Sequence, residues 1–251
     1  MSANPSTMTP LSRLACPVVE LRQYTLRPGM RDALIDLFDR EFVETQEALG
    51  MAVIGQFRDL DDSERFVWLR GFADMAVRRS ALTAFYDGPV WAAHRDAARA
   101  TMVDTDDVLL LRPAAPGSGF ATIRPRPPHR TRSVRPTLMT ATIHYLAGPA
   151  DHGFLAFHQQ TVEPVLRRAG ATAIATLVTE DSANTYPRLP VREGENVLVR
   201  FATFFDRAAY DRHLDALSRS AAWREASDAL DRRVARPSET LRLIPTARSA
   251  L

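Results

Sequence analysis

The chain has 251 residues, of which 45% are hydrophobic and 25% charged, the make-up of a soluble globular protein with room for two domains of ordinary size. Its formal charge is +2 and all 32 basic residues are arginine, which reads as the coding bias of GC-rich DNA; acidic residues balance them along most of the chain, so no nucleic-acid partner is expected. Cys16, the one cysteine, excludes an internal disulfide framework, and no run approaches the ~20 apolar residues of a membrane-spanning helix.

Residues 1–17 lack the apolar core of a signal peptide, and Leu14-Ala15-Cys16 has no hydrophobic stretch before it that would make it a lipoprotein cleavage site; a cytoplasmic location is expected. Residues 18–25 alternate polarity and carry β-branched and aromatic side chains, the pattern of a first strand. After the turn Arg27-Pro28-Gly29, the apolar residues Met30, Leu34, Leu37, Phe38 and Phe42 fall at helical spacing, and Gly50 supplies the stop. A second strand over 51–57, a turn over 59–63 and a third strand over 66–72 follow. Asp74 caps a helix running to Tyr86, Asp87-Gly88-Pro89 breaks it, and a further helical piece carries Trp91, His94 and Ala98 before a fourth strand over 108–112. The order βαββαβ is that of a ferredoxin-like unit.

The pattern recurs. Asp74, Trp91 and Pro113 have counterparts at Asp206, Trp223 and Pro245, each 132 residues on. Near the start of the repeat the best alignment sets Tyr145 on Tyr24, 121 residues on, which places 11 extra residues in the loop around 182–194. Pro164 is expected to kink the first helix of the repeat. The predicted fold is therefore α+β, two tandem ferredoxin-like units: the first over 17–113, the second over 137–246, joined by a Pro/Arg-rich linker over 114–136. The linker arginines Arg124, Arg126, Arg130, Arg132 and Arg135 suit either an acidic partner or a plain solvated connector. A lone four-stranded unit leaves an apolar face exposed, so the antiparallel sheets are expected to pack face to face, as an intrachain pseudo-dimer or a homodimer, with a ligand cavity between them.

The run Glu20-Leu21-Arg22-Gln23-Tyr24 with Gly29, the stretch 66–74 and the Trp91 segment together resemble the NIPSNAP family over about 17–113. The second unit keeps a tyrosine in Ala141-Thr142-Ile143-His144-Tyr145 but loses the Glu-Leu-Arg. The resemblance implies the dimeric α/β-barrel fold and no particular reaction.

Alternation along the first strand separates Glu20, Arg22 and Tyr24 from Val19, Leu21 and Gln23. With Leu21 turned to the helices, the polar trio faces the space between the sheets, where Arg70 joins it. Arg22 and Arg70 would then hold a carboxylate or enolate and Tyr24 would donate a hydrogen bond; equally, Glu20 would simply neutralise the arginines. His144 and Tyr145 complete the candidate set, His144 as a general base, a haem ligand or an ordinary strand histidine. No nucleophile elbow, phosphate loop, dinucleotide fingerprint or metal signature is present, so neither cofactor nor metal is expected. The function read from this is binding of a small, partly apolar or carboxylate-bearing molecule in the barrel, with a cofactor-independent monooxygenase or isomerase, a haem-binding barrel, or a structural homodimer as alternatives. Whether the protein is an enzyme is open at this stage.

Overall fold

The computed structural model describes residues 16–121, 124–129 and 131–251; Leu14 and Ala15 of the cleavage-like motif and Arg130 of the linker lie outside them. The first unit runs β1 (Val18–Leu26), α1 (Arg31–Leu37), a π-helical turn (Phe38–Phe42), α2 (Val43–Ala48), β2 (Ala52–Asp59), β3 (Arg65–Phe72), α3 (Met75–Tyr86), α4 (Pro89–Thr101) and β4 (Met102–Pro113). The second repeats it as β5 (Leu138–Leu146), α5 (His152–Phe157), a π-helical turn (His158–Val162), α6 (Glu163–Arg168), β6 (Thr172–Thr179), β7 (Val197–Phe204), α7 (Arg207–Ser218), α8 (Ala221–Asp231) and β8 (Val234–Pro245). Asp74 and Asp206 act alike: in extended backbone, each side chain accepts an N–H three residues on, from Val77 at 2.6 Å and Ala209 at 2.7 Å. The π-helical turn recurs at the same place in both units, but only the second has a proline beside it. Pro164 is therefore not what interrupts the helix.

All strand pairs are antiparallel, and the two four-stranded sheets join at both edges, β2 to β8 and β4 to β6. The result is one closed barrel, β1-β3-β2-β8-β5-β7-β6-β4, built within a single chain. Its two halves face each other across a packed interior. Leu21, Val67, Leu69, Leu111, Ile143, Val199, Phe201 and Leu243 all meet there and are fully buried.

Three expectations are corrected here. First, Leu21 points into the barrel, so Glu20, Arg22 and Tyr24 point outward beneath the helices. Both faces of β1 are covered, and its alternation carried no solvent-facing register from which to tell one face from the other. The barrel interior, filled by neutral side chains, is a core and not a ligand cavity. Second, Val18 pairs with Phe72 and Leu138 with Phe204, so β1 and β5 are 120 residues apart, not 121. A one-residue slip exchanges faces: His144 is the counterpart of Tyr24, while Tyr145 points into the barrel. The whole difference of 12 residues, not 11, lies between β6 and β7. Third, the linker is not just a solvated connector. Phe120 enters the barrel core with its ring 5.1 Å from that of Phe201. Arg126 donates to Glu47 Oε1 and the Val53 carbonyl, both at 2.5 Å, and Arg135 donates to the Ser249 carbonyl.

Because Phe120 is part of the core, Phe120→Ala should lower unfolding stability by about 3 kcal/mol in a denaturant titration. A change under about 0.5 kcal/mol would return the segment to the role of a connector.

Candidate functional site

The outer face of the first unit's sheet carries a buried ion cluster. Glu20 and Arg70 sit opposite each other on β1 and β3, Arg22 lies two residues along β1, and Arg78 comes from α3. Glu20 Oε1 accepts from Arg78 Nε at 2.7 Å; Oε2 accepts from Arg70 Nη2 at 2.6 Å and Arg22 Nη1 at 2.9 Å. All four side chains are excluded from water. Burial alone would raise the Glu20 pKa, but Arg70, Arg22 and Arg78 together hold it well below the usual carboxylate range. One carboxylate against three guanidiniums leaves two positive charges unmatched, spread over neutral acceptors: Gln46 Oε1 to Arg70, and Asn184 Oδ1 and Thr185 Oγ1 to Arg78.

Beside this cluster lies a cavity of about 240 Å³ with aromatic walls from Phe38, Phe42, Phe85, Tyr86 and Trp91. Tyr24 forms part of it. Its hydroxyl oxygen accepts from Arg22 Nε at 3.1 Å, and its own proton meets no acceptor among the described residues. Burial raises its pKa against the pull of Arg22, so Tyr24 stays protonated and acts as a donor. Trp68 also lines the cavity, its indole flanked by Arg70 and Arg22 at 5.0 and 5.6 Å, and its Nε1–H is buried without a partner. Tyr186 is the third such group: it is buried, stacks on Tyr86 at 6.0 Å, and its hydroxyl has no partner. Three hydrogen-bond donors without acceptors therefore border one aromatic space, next to an excess of positive charge.

Tyr186 belongs to the second unit. It sits in the long β6–β7 loop, which crosses to the first unit and covers its site: Asn184 and Thr185 hold Arg78, Thr185 Oγ1 donates to the Met75 carbonyl, and Arg188 pairs with Asp87 at 2.7 Å. Of the candidates named from sequence, Glu20, Arg22, Tyr24 and Arg70 come together, but under the helices. His144 and Tyr145 do not join them. His144 lies on the outer face of the other unit with Nδ1 2.7 Å from Ser238 Oγ, and Tyr145 donates to Glu239 at the barrel end. Sequence reasoning missed Arg78, Gln46, Trp68 and Tyr186. The length asymmetry of the loop was the available sign of Tyr186. Among the described residues, no group of three or more His, Cys, Asp or Glu side chains is placed to hold a metal.

Residues 19–116 match the NIPSNAP family, so the first unit's resemblance to that family stands. Over most of its length the chain shares its fold with a candidate monooxygenase from Fusobacterium nucleatum, at a TM-score of 0.57 and 10% identity, covering 92% of this chain and 93% of that one. A candidate monooxygenase from Lactobacillus acidophilus is similar at 0.54 and 12%, covering 93% and 98%. A NIPSNAP-like domain protein from Burkholderia xenovorans is 26% identical over 39% of this chain and 85% of that one, with a TM-score of 0.36. No functionally curated protein matches the sequence.

Buried titratable groups, two neutral imidazoles and one carboxylate, make the protein acid-sensitive in two stages. Burial, then the neighbouring His158 and Arg200, lowers the His144 pKa to about 3; burial and Arg200 lower His158 to about 4. Both lie below the unfolded value of ~6.5, so stability is full above that pH and declines as pH falls toward the folded values. Glu20, also lowered, contributes stability that is present above its unfolded value of ~4.3 and lost below it. Urea titrations from pH 7.5 to 3.5 should show stability falling from about pH 6.5, and His158→Phe should flatten the upper part of the profile. Glu20→Gln should cost about 3–5 kcal/mol at pH 7 by leaving three guanidiniums unneutralised.

Proposed function

We propose that the first unit binds a small, flat aromatic molecule bearing one or more acceptor oxygens, such as an aryl ketone, quinone or phenolate, in the space between β1, β3 and the covering loop. The observation that carries this reading is the set of unspent donors, Tyr24 O–H, Trp68 Nε1–H and Tyr186 O–H, around a cavity whose remaining lining combines the rings of Phe38, Phe42, Phe85, Tyr86 and Trp91 with a polar rim that includes Arg99, Asp106 and Arg188. A buried donor without an acceptor costs about 1–3 kcal/mol. A ligand oxygen in reach of these groups recovers that cost, and the rings supply stacking surface. The cavity is smaller than the ~300 Å³ at which drug-sized sites begin, which favours a one- or two-ring compound. Arg22 and Arg70 are engaged by Glu20, the Tyr24 oxygen and Gln46, and Arg78, whose Nη2 is unpartnered, stands outside the cavity lining, so the part of the three is the positive field they cast on the ligand oxygen rather than direct contact.

That field favours a second reading, catalysis through an enolate or phenolate. Negative charge growing on the ligand oxygen would be met by Tyr24 and by guanidiniums that need not reorganise. The monooxygenase assignments of the fold relatives agree in kind, as analogy from fold. Glu20 does not serve as the base, because both its oxygens are occupied by arginine. Asp106, which is exposed, is the one carboxylate among the described residues that line the cavity, and on this reading it is the base.

Trp68 and Trp91 report occupancy of the cavity by fluorescence. 1-Tetralone should quench them saturably, and tetralin, the same skeleton without the oxygen, should bind at least about tenfold more weakly. Tyr24→Phe should reduce the preference for tetralone. Equal affinity for the two compounds in the unaltered protein would remove the donor reading. Deuterium exchange at the carbon next to the tetralone carbonyl, faster than in buffer and slowed by Tyr24→Phe, would carry the catalytic reading.

A further inference from the structure

The second unit has a cavity of its own, about 170 Å³, between the outer face of its sheet and its helices. Thr140, Thr142 and His144 stand there where β1 carries Glu20, Arg22 and Tyr24, and Trp223 stands where α4 carries Trp91. The chemistry is inverted. Among the described residues that line it there is no charge excess, because Arg200 meets Glu163 through Nε at 2.5 Å and Nη2 at 3.1 Å.

The polar groups here are buried imidazoles. His213 Nδ1 lies 3.0 Å from the Ala169 carbonyl oxygen. A carbonyl only accepts, so Nδ1 carries the proton and Nε2 is left with its lone pair. His144 is held by Ser238 through Nδ1, and its Nε2 has no partner among the described residues. Both rings line the cavity and are more than nine-tenths buried. The ring of His158 is 5.8 Å from that of His144, and its Nε2 is likewise buried and unpartnered. Burial lowers the pKa of all three, so they are neutral near pH 7, and His213 Nε2 keeps a lone pair free to accept.

We infer that this second cavity binds an uncharged, hydroxyl-bearing compound of one-ring size, a phenol or a compact alcohol, whose O–H donates to His213 Nε2 while Leu217, Tyr210 and Trp223 enclose its apolar body. An ammonium donor is disfavoured because Glu163, the carboxylate that would neutralise it, is already held by Arg200. On this reading the chain holds two sites at equivalent positions: one offers donors to an acceptor ligand, the other offers the His213 acceptor to a donor ligand. The second site does not depend on what the first one binds.

4-Methylphenol tests this, with 4-methylanisole as the same shape without the donor. In protein labelled with ¹⁵N at histidine, 4-methylphenol should bind saturably and move the Nε2 resonance of His213, and 4-methylanisole should bind at least about tenfold more weakly. His213→Phe should abolish that preference, whereas Tyr24→Phe, which alters only the first cavity, should leave it intact. Absence of saturable binding at millimolar phenol, equal affinity for the anisole, or a His213 resonance that stays still at saturation would each overturn the proposal. The resonance shift is read in the unaltered protein, so the test stands even if His213→Phe fails to fold.

Discussion

Edge closure is the constraint from which the rest of the architecture follows. Each four-stranded sheet ends in two strands with unpaired backbone groups, β2 and β4 in one unit, β6 and β8 in the other. Exposed edges of this kind invite aggregation. Here β2 pairs with β8 and β4 with β6, so the two halves remove each other's edges and bury each other's inner faces in one step. Eight strands leave an interior just wide enough to be filled by side chains, and it is filled, down to Phe120 from the linker. Once the inside is a core, polar and ligand-binding chemistry is displaced outward, to the two layers between sheet and helices.

In the first of those layers the chain carries an arrangement that is costly by itself. Four ionised groups have left water around Glu20, and such a cluster gives little net stability compared with well-packed apolar residues. It orients, instead. Arg22 and Arg70 flank the Trp68 indole, and Arg22 holds the Tyr24 oxygen so that the phenol proton faces away from it. The fourth residue of the cluster, Arg78, is secured by Asn184 and Thr185 from the other unit's loop. The site is thus composite, completed by a segment that only one copy of the repeat possesses.

Duplication allowed the two copies to part in chemistry while keeping one backbone plan. The π-helical turns stand at matching places, and in both units they lead into the helix that covers the cavity. Phe38 in one is His158 in the other, Tyr24 is His144, and Trp68 is Arg200. A charged, donor-rich layer in the first unit answers to a neutral, imidazole-lined one in the second. The family resemblance ends where this divergence begins, at the close of the first unit.

Much of the fold was written locally. Period-two alternation, the caps at Asp74 and Asp206, the tryptophans that follow each cap and the prolines that close each last strand identify two βαββαβ units, because each signal depends on residues a few positions apart. The ion cluster's membership was legible in part: strand period groups Glu20, Arg22 and Tyr24 on one face of β1, while the pairing of β1 with β3 sets Arg70 opposite Glu20. What the chain could not disclose by itself was which face that is. Both sides of β1 are buried, so no polar edge marks the outside, and the answer depends on the partner sheet that closes the barrel. Arg78 and Tyr186 were hidden because they reach the site from 58 and 166 residues away from Glu20, Arg78 through the packing of α3 on the sheet and Tyr186 through a loop that arrives only when both units are in place. The one-residue difference that makes His144 and not Tyr145 the counterpart of Tyr24 was likewise decided by pairing with β7, because hydrogen-bond register between strands fixes which residues of the two copies correspond and which face each one takes.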